Sequence, residues 1–410
     1  RTPGGLRAGT DGGRGATRSR RRAACWPIVT ATPNSATPGS ATRDPATRDP
    51  ATREAATGRG LAALPKGHLH IHLEGAMRPA TLAELAAERG MDVPPIRGFG
   101  SFVAFAGMYD AACRVLATEV EMRRLVREVV ADAAADGVRW IEPSLYAPRY
   151  TRVFGSLEAT VELVLDELAA AGTDLGVGTG LIVAADRTVD PAEAVTLAGV
   201  AVRYAGRGVV GFGLANDEAR WPPEPFADAF RLARDGGLIS APHGGELDGP
   251  ASVAGCLDAC GAHRVMHGVR AVEDPDLVAR LADEGVCLDV CPTSNELLGV
   301  VATVEAHPLP ALLDAGVRCS INADDPLLFG PGILDEYELC RNRLDLDDGR
   351  LAHVARCSLE DSGAPRALVA AAVADIDAWL AAPGNGTGGS GARGNDAAGK
   401  EAAGKEAAAS

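Results

Sequence analysis

Three absences narrow the field before any motif is read. No apolar run in the 410 residues reaches the roughly 18 of a membrane-spanning helix, so a membrane protein is not expected. Positive charge is in deficit, with 40 Lys and Arg against 55 Asp and Glu and a formal net charge of −15. Such a chain lacks the basic surface that nucleic acid or an anionic membrane requires, so its expected partner is a small molecule. The nine cysteines include no CxxC pair. That spacing fits reduced thiols in a cytoplasmic protein better than a disulfide framework, and it makes Cys287 and Cys291 small core residues rather than ligands. The basic cluster RSRRR is not followed by an apolar stretch, so no secretory signal is expected.

What is present suffices for a large core, at 46% hydrophobic residues. The two ends differ from the rest. Residues 1–60 are rich in Arg, Thr, Pro, Gly and Ala and contain the tandem ATRDPATRDPATREAAT; residues 384–410 are dominated by Gly, Ala, Lys and Glu. Neither composition can bury apolar surface, and both are read as disordered, leaving one domain over 61–383.

Within that domain eight β-like runs alternate with helical stretches: HLHIHL, GVRWIEPSL, GVGTGLIVAA, GVVGFGLA, LISAPHGGE, HRVMHGV, GVCLDVCP and GVRCSINADDP. Parallel strands need crossover helices, and a closed sheet has no edges, so the pattern predicts an α/β fold, a (β/α)8 TIM barrel. The alternative, an open doubly wound sheet, usually carries a Gly-rich phosphate-binding turn after its first strand, and none occurs here. From Arg78 to about Asp136 two or three extra helices follow strand one. Such an insertion lies at the C-terminal face and can contribute to a lid. Its regular segment EMRRLVREVVADAAADG instead reads as outer packing.

The polar residues sit where a barrel should be apolar. Strand alternation places His68, His70, His72 and Glu74 on one face, with Leu69, Ile71 and Leu73 on the other. Buried imidazoles and carboxylates need partners, which a divalent metal supplies. At the same height strand five offers His243 and Glu246, strand six His267, and strand eight Asp324 and Asp325. Zinc takes His nitrogens and carboxylate oxygens and lowers the pKa of a bound water. HxH alone is a weak signal; its convergence with ligands from three other strands is a strong one. Strand four, GVVGFGLANDEARWPP, has no Lys to bridge two metals, so a single ion is expected.

LPKGHLHIHLEG, APHGGE, RVMHGVRAVEDP, CPTSN and INADDPLLFG, in that order between Leu64 and Leu328, resemble the active-site motifs of the adenosine deaminase family of metal-dependent hydrolases. The resemblance implies one zinc held by His70, His72, His243 and Asp324. Glu246 would protonate the purine ring nitrogen beside the reacting carbon, and His267 would orient the attacking hydroxide. Asp325 would contact the imidazole part of the purine, Glu74 a sugar and Asn216 the far edge of the ring, with His72 also beside the substrate. His68 stands where family members commonly have Glu and reads as a brace below the metal. His263, His307 and His353 have no motif support. The implied activity is hydrolytic deamination of adenosine, or of a 9-substituted adenine, to the 6-oxo purine and ammonia.

Two departures bear on the substrate. GFGLANDE differs from the family's DLAGDE-like pattern by Gly213 for an acid and Asn216 for a glycine, and IEPSLYAP lacks an arginine. HLEG and GLxxxExxxPP lean towards branches that include adenine deaminases and aminodeoxyfutalosine deaminases. A catalytically silent purine-binding barrel is the reading from another class, and no missing ligand or acid favours it. The sequence carries no reading of oligomeric state.

Overall fold

The computed structural model describes residues 59–93 and 102–383. The extension and tail expected to be disordered lie outside the described residues, except for Arg59 and Gly60. Those two belong to the fold: Arg59 Nη1 pairs with Asp348 at 2.8 Å, and Gly60 O accepts from Trp379 Nε1 at 3.1 Å.

Eight parallel strands follow one another around a barrel: β1 (Lys66–His72), β2 (Val138–Leu145), β3 (Leu181–Asp186), β4 (Val209–Ala215), β5 (Ile239–Gly244), β6 (Arg264–His267), β7 (Cys287–Val290) and β8 (Arg318–Ile321). A two-residue strand, Gly178–Thr179, pairs with β2 just ahead of β3. The ring closes where Ile71 bridges Asp324 in parallel register. There the His72 N–H donates to Asp324 O, and the Asp324 N–H to His70 O, both at 3.1 Å.

The helices between strands begin and end as their sequences dictate. Ser156 caps Leu157–Leu175 by accepting from Ala159 N, and Gly176 ends that helix at φ 71°. Asp274 caps Pro275–Glu284 through Asp276 N and Leu277 N, with Gly285 at φ 67°. A short polar side chain satisfies free amides at one end, and a left-handed glycine releases the chain at the other.

The insertion after β1 holds three helices, α1 (Pro79–Glu88), α2 (Phe102–Cys113) and α3 (Glu119–Ala135). α3 opens on a capping box between Thr118 and Glu121. It buries Met122, Leu125, Val126, Val129 and Val130, and Arg127 reaches Glu167 of the next helix at 2.9 Å, so it is outer packing as expected. α2 instead faces the barrel mouth.

Below the mouth the barrel interior holds a small apolar cluster of Ile182, Ala241 and Met266 and, with it, a buried charged triad. Arg264 Nη2 donates to Glu142 Oε2 at 2.6 Å, its Nε lies 3.3 Å from Asp289 Oδ2, and all three side chains are 0% exposed. Trp140 Nε1 and Ser320 Oγ donate to the same two carboxylates. At the foot of β1, a Cβ on Gly67 would lie 2.5 Å from Ser358 O, a contact only glycine permits. The eight cysteines among the described residues are all free and buried, Cys287 and Cys291 included. No helix among them is long and apolar enough to cross a membrane.

Replacing Arg264 with Leu leaves two carboxylates buried without their counter-charge. It should lower unfolding free energy by roughly 3–5 kcal/mol in urea titrations; an unchanged midpoint would show that the triad does not carry the barrel floor.

Candidate active site

β1 ends at His72, and its alternation ends with it. Leu73 turns into helical backbone and Glu74 opens a short helical turn, Glu74–Ala76. The expectation that Glu74 shares a strand face with the histidines is therefore corrected. The helical turn begins at Leu73 and carries Gly75 against Asp325, where a Cβ would sit 1.6 Å from Oδ1, so only glycine lets the turn pack there. Glu74 is buried, accepts from Tyr109 Oη at 2.8 Å, and is not in the wall of the mouth cavity.

The other sequence candidates converge. His70 Nε2 and His72 Nε2 lie 3.3 and 3.4 Å from Asp324 Oδ1, and His72 Nε2 is 3.2 Å from His243 Nε2. His267 Nε2 lies 3.4 Å from Glu246 Oε1 and 3.8 Å from Asp324 Oδ2. His70 Nδ1 donates to Asp289 O at 3.0 Å, which leaves Nε2 as a lone pair. That nitrogen is buried with no hydrogen-bond partner. These side chains fall into overlapping triples whose ligand atoms lie close enough to hold a metal ion: His70 with His243 and His267, His70 with Cys291 and Asp324, His72 with Asp324 and Asp325, and Glu246 with His267 and Asp324. His70, with its orphaned nitrogen, belongs to two of them. Asp325 adjoins this group, with its Oδ1 buried and unpartnered. His68 is the expected brace: its Nε2 accepts from Ala323 N at 3.2 Å, just ahead of Asp324.

The backbone is strained where these side chains present themselves. Among the described residues four non-glycine positions have left-handed φ, and three are Asn216 (85°), His267 (66°) and Asp324 (59°). Asn216 thus occupies a glycine-type conformation, one that Asn tolerates better than most residues. Its side chain turns aside to Asp186, donating to both carboxylate oxygens at 3.1 and 3.0 Å, and its Oδ1 accepts from Asp217 N.

Burial and charge set the protonation states. Burial, then the carboxylates of Asp324 and Glu218, push the Glu246 carboxyl well above its usual range. Burial opposes ionisation of Asp324 too, but His70, His267 and His72 outweigh it and hold that carboxyl well below the usual range. Burial and the neighbouring imidazole of His70 push His267 well down, favouring a neutral ring.

Residues not singled out from the sequence hold this group in place. Glu218 accepts from the backbone amides of Gly245, Glu246 and Leu247, the last two at 3.0 and 2.9 Å. Arg187, fully buried, donates to His243 O at 2.6 Å. The turn carrying His243 and Glu246 is thus clamped from both sides. Ser294 Oγ donates to Asp324 Oδ2 at 2.7 Å, and Asn295 Nδ2 lies 3.1 Å from His267 Nδ1. Glu218 and Ser294 stand inside quoted motifs, but backbone and cross-strand bonds of this kind leave no pattern in a sequence.

Above the group opens a cavity of about 380 Å³. His72, His243, Glu246, His267, Asp324 and Asp325 form its polar base, and Asp186 and Asn216 one side. Phe102, Phe105 and Tyr109 of α2, with Tyr146 and Arg149 beyond β2, supply much of the remaining wall. α2 is thus a cavity wall that sequence periodicity did not reveal.

Comparison with known proteins places the geometry in context. A family model described as adenosine deaminase matches residues 65–379. A protein of Streptomyces coelicolor named "putative adenosine/adenine deaminase" is 46% identical over 343 residues, covering 79% of this chain and 99% of its own. The crystal structure of an adenine deaminase from Arthrobacter aurescens superposes with a TM-score of 0.73 at 31% identity, over 78% of this chain and 99% of that one. That of an amidohydrolase from Burkholderia ambifaria with bound zinc superposes with a TM-score of 0.72 at 28% identity, over 78% and 93%.

Ser294→Ala removes the hydroxyl that orients Asp324. It should weaken divalent-metal binding by roughly 10–100-fold in competition with a chelator; parental affinity would make Ser294 a bystander.

Proposed function

The chain belongs to the adenosine deaminase family, a family of hydrolytic deaminases, and from that premise we propose that it removes the 6-amino group of adenosine or a 9-substituted adenine. The products are the 6-oxo purine and ammonia. The observation that carries the reading is the meeting of a buried Glu246, its carboxyl pushed well up by burial, with His72, His243, His267 and Asp324 at the base of one cavity, the buried His70 adjoining them.

Water attack on the amino-bearing ring carbon destroys aromaticity, so it needs a strong nucleophile and a proton placed on the ring. His70, His72, His243 and Asp324 would hold one zinc. When bound, the metal acidifies a water so that it can act as a nucleophile near neutral pH. Glu246 gives its carboxyl proton to the ring nitrogen beside the reacting carbon; burial keeps that proton in place until it is needed. His267, facing both Glu246 and Asp324, orients the attacking oxygen. Asp325 is buried beside Asp324 and pushed well up by burial and that neighbour, so it is placed to donate to the imidazole edge of the purine. Asn216, in its left-handed conformation, meets the far edge of the ring. Glu74 acts on substrate choice through Tyr109, which does line the cavity.

The cavity volume, within the roughly 300–1,000 Å³ typical of small-molecule sites, suits a purine with or without a substituent. Adenine itself is the second reading, favoured by the adenine deaminase of similar structure. Aminodeoxyfutalosine shares the chemistry and differs only in what hangs from the ring.

Zinc-loaded protein should deaminate at least one of adenosine, adenine and aminodeoxyfutalosine, seen as a change in purine ultraviolet absorbance. If all three remain intact, the proposal is wrong. Glu246→Gln should cut kcat by at least about 10²-fold while leaving purine affinity nearly unchanged. The acid is active when protonated, so the rate falls as pH rises through its raised pKa. Removing the neighbouring charge with Glu218→Gln should move that alkaline limb to lower pH; a limb that stays in place would assign it to another group.

A further inference from the structure

His307 has no motif to recommend it, yet its imidazole is 3% exposed and both ring nitrogens are hydrogen-bonded. It stands just before the helix Leu309–Asp314, some 40 residues beyond β6. The Leu309 backbone N–H points at His307 Nδ1, 3.1 Å away. A backbone N–H can only donate, so Nδ1 accepts and the proton of the neutral ring sits on Nε2. Burial pushes the pKa of this ring down to about 4, which keeps it neutral.

From that amide the polarity propagates. His307 Nε2–H donates to Asn295 Oδ1 at 3.1 Å. The orientation of the Asn295 amide is then settled by chemistry: its oxygen faces His307, and its nitrogen faces His267 Nδ1 at 3.1 Å. That nitrogen has only hydrogens to offer, so His267 Nδ1 accepts in turn. His267 must then carry its own proton on Nε2, the atom facing Glu246 Oε1 at 3.4 Å and Asp324 Oδ2 at 3.8 Å. Asn295 is itself 0% exposed, and its backbone oxygen accepts from Val300 N at 2.9 Å and Val301 N at 3.1 Å, which fixes the main chain that carries the relay.

We infer that His307 is a positioning residue: through Asn295 it locks His267 in the Nε2–H tautomer, making His267 a hydrogen-bond donor to the attacking oxygen rather than an acceptor of its proton. The effect on turnover rests on the deaminase reading above; the tautomer does not. A neutral imidazole with the opposite tautomer would present a lone pair to Glu246 and Asp324 and lose its grip on the oxygen it orients.

The test is nitrogen NMR of the zinc-loaded protein labelled with ¹⁵N-histidine, which reads the tautomer without substrate. His267 in the parent should show a protonated Nε2 and a bare Nδ1; the reverse overturns the inference. His307→Leu should release Asn295, mix the two His267 tautomers and lower kcat by roughly 10–100-fold with little change in KM. His307→Gln, which retains a donor towards Asn295 Oδ1, should recover most of both. Should His307→Leu fail to fold, Asn295→Asp asks the same question. Its carboxylate accepts from both rings and should move the His267 proton to Nδ1, with a similar loss of kcat. Unchanged nitrogen shifts in folded His307→Leu or Asn295→Asp, or shifts that move without any change in kcat, would refute the positioning role. A parent inactive on every purine would overturn the deaminase reading instead and leave the tautomer result standing.

Discussion

The barrel closes through two backbone hydrogen bonds, His72 N–H to Asp324 O and Asp324 N–H to His70 O. The residues that make them are three of the four proposed metal ligands. Closing the sheet and bringing together side chains some 250 residues apart in the chain are therefore one structural event. Much of the remaining architecture serves this seam. His68 holds Ala323 from below, Ser294 holds the Asp324 carboxylate from the side, and Asp289 fixes the His70 ring through its backbone oxygen. Asp289 belongs in turn to the charged triad of the barrel floor. The seam is thus joined to the interior by polar contacts at every level.

Such an arrangement has an energetic cost that the scaffold must offset. Non-glycine residues in left-handed conformation cost about 1–3 kcal/mol each, and three of them cluster at the mouth. They persist because neighbouring bonds leave no alternative: Asn216 is tied to Asp186, His267 to Asn295, and Asp324 to both ends of the seam. Fixed positions hold a buried carboxyl and an imidazole 3.4 Å apart, and in the proposed reaction they would need no rearrangement.

The strands were legible in the sequence because each is a short apolar run between turn signals, and all eight appear in the expected order. The residues brought together at the mouth were legible because polar groups at the ends of otherwise apolar strands demand partners. What escaped did so for identifiable reasons. Glu74 continues the two-residue period in the sequence, but the chain turns helical at Leu73, one residue after His72, and packs its Gly75 against Asp325 where no larger residue fits. α2, with its run FVAFAGMYDAAC, is apolar on too many sides to display a period, because one side packs on protein and another lines a cavity. Arg187 and Glu218 work through backbone atoms, which have no residue type to recognise. His307 acts through a single side chain twelve residues away, and its importance lies in the direction of a hydrogen bond rather than in its identity.

The free thiols in the described residues share one property: all eight are buried, several with the core strands and helices packed around them. A thiol-specific reagent can reach them only when the surrounding structure opens, so their rates of modification measure local opening. Cys291 lies beside His70 at the seam, with Sγ 3.3 Å from the ring nitrogen, and Cys357 lies in the helix Asp348–Glu360 near the other end of the barrel. The molecule thus carries its own set of clocks, placed from the mouth to the foot of the barrel, by which breathing at the catalytic end can be timed against breathing at the base.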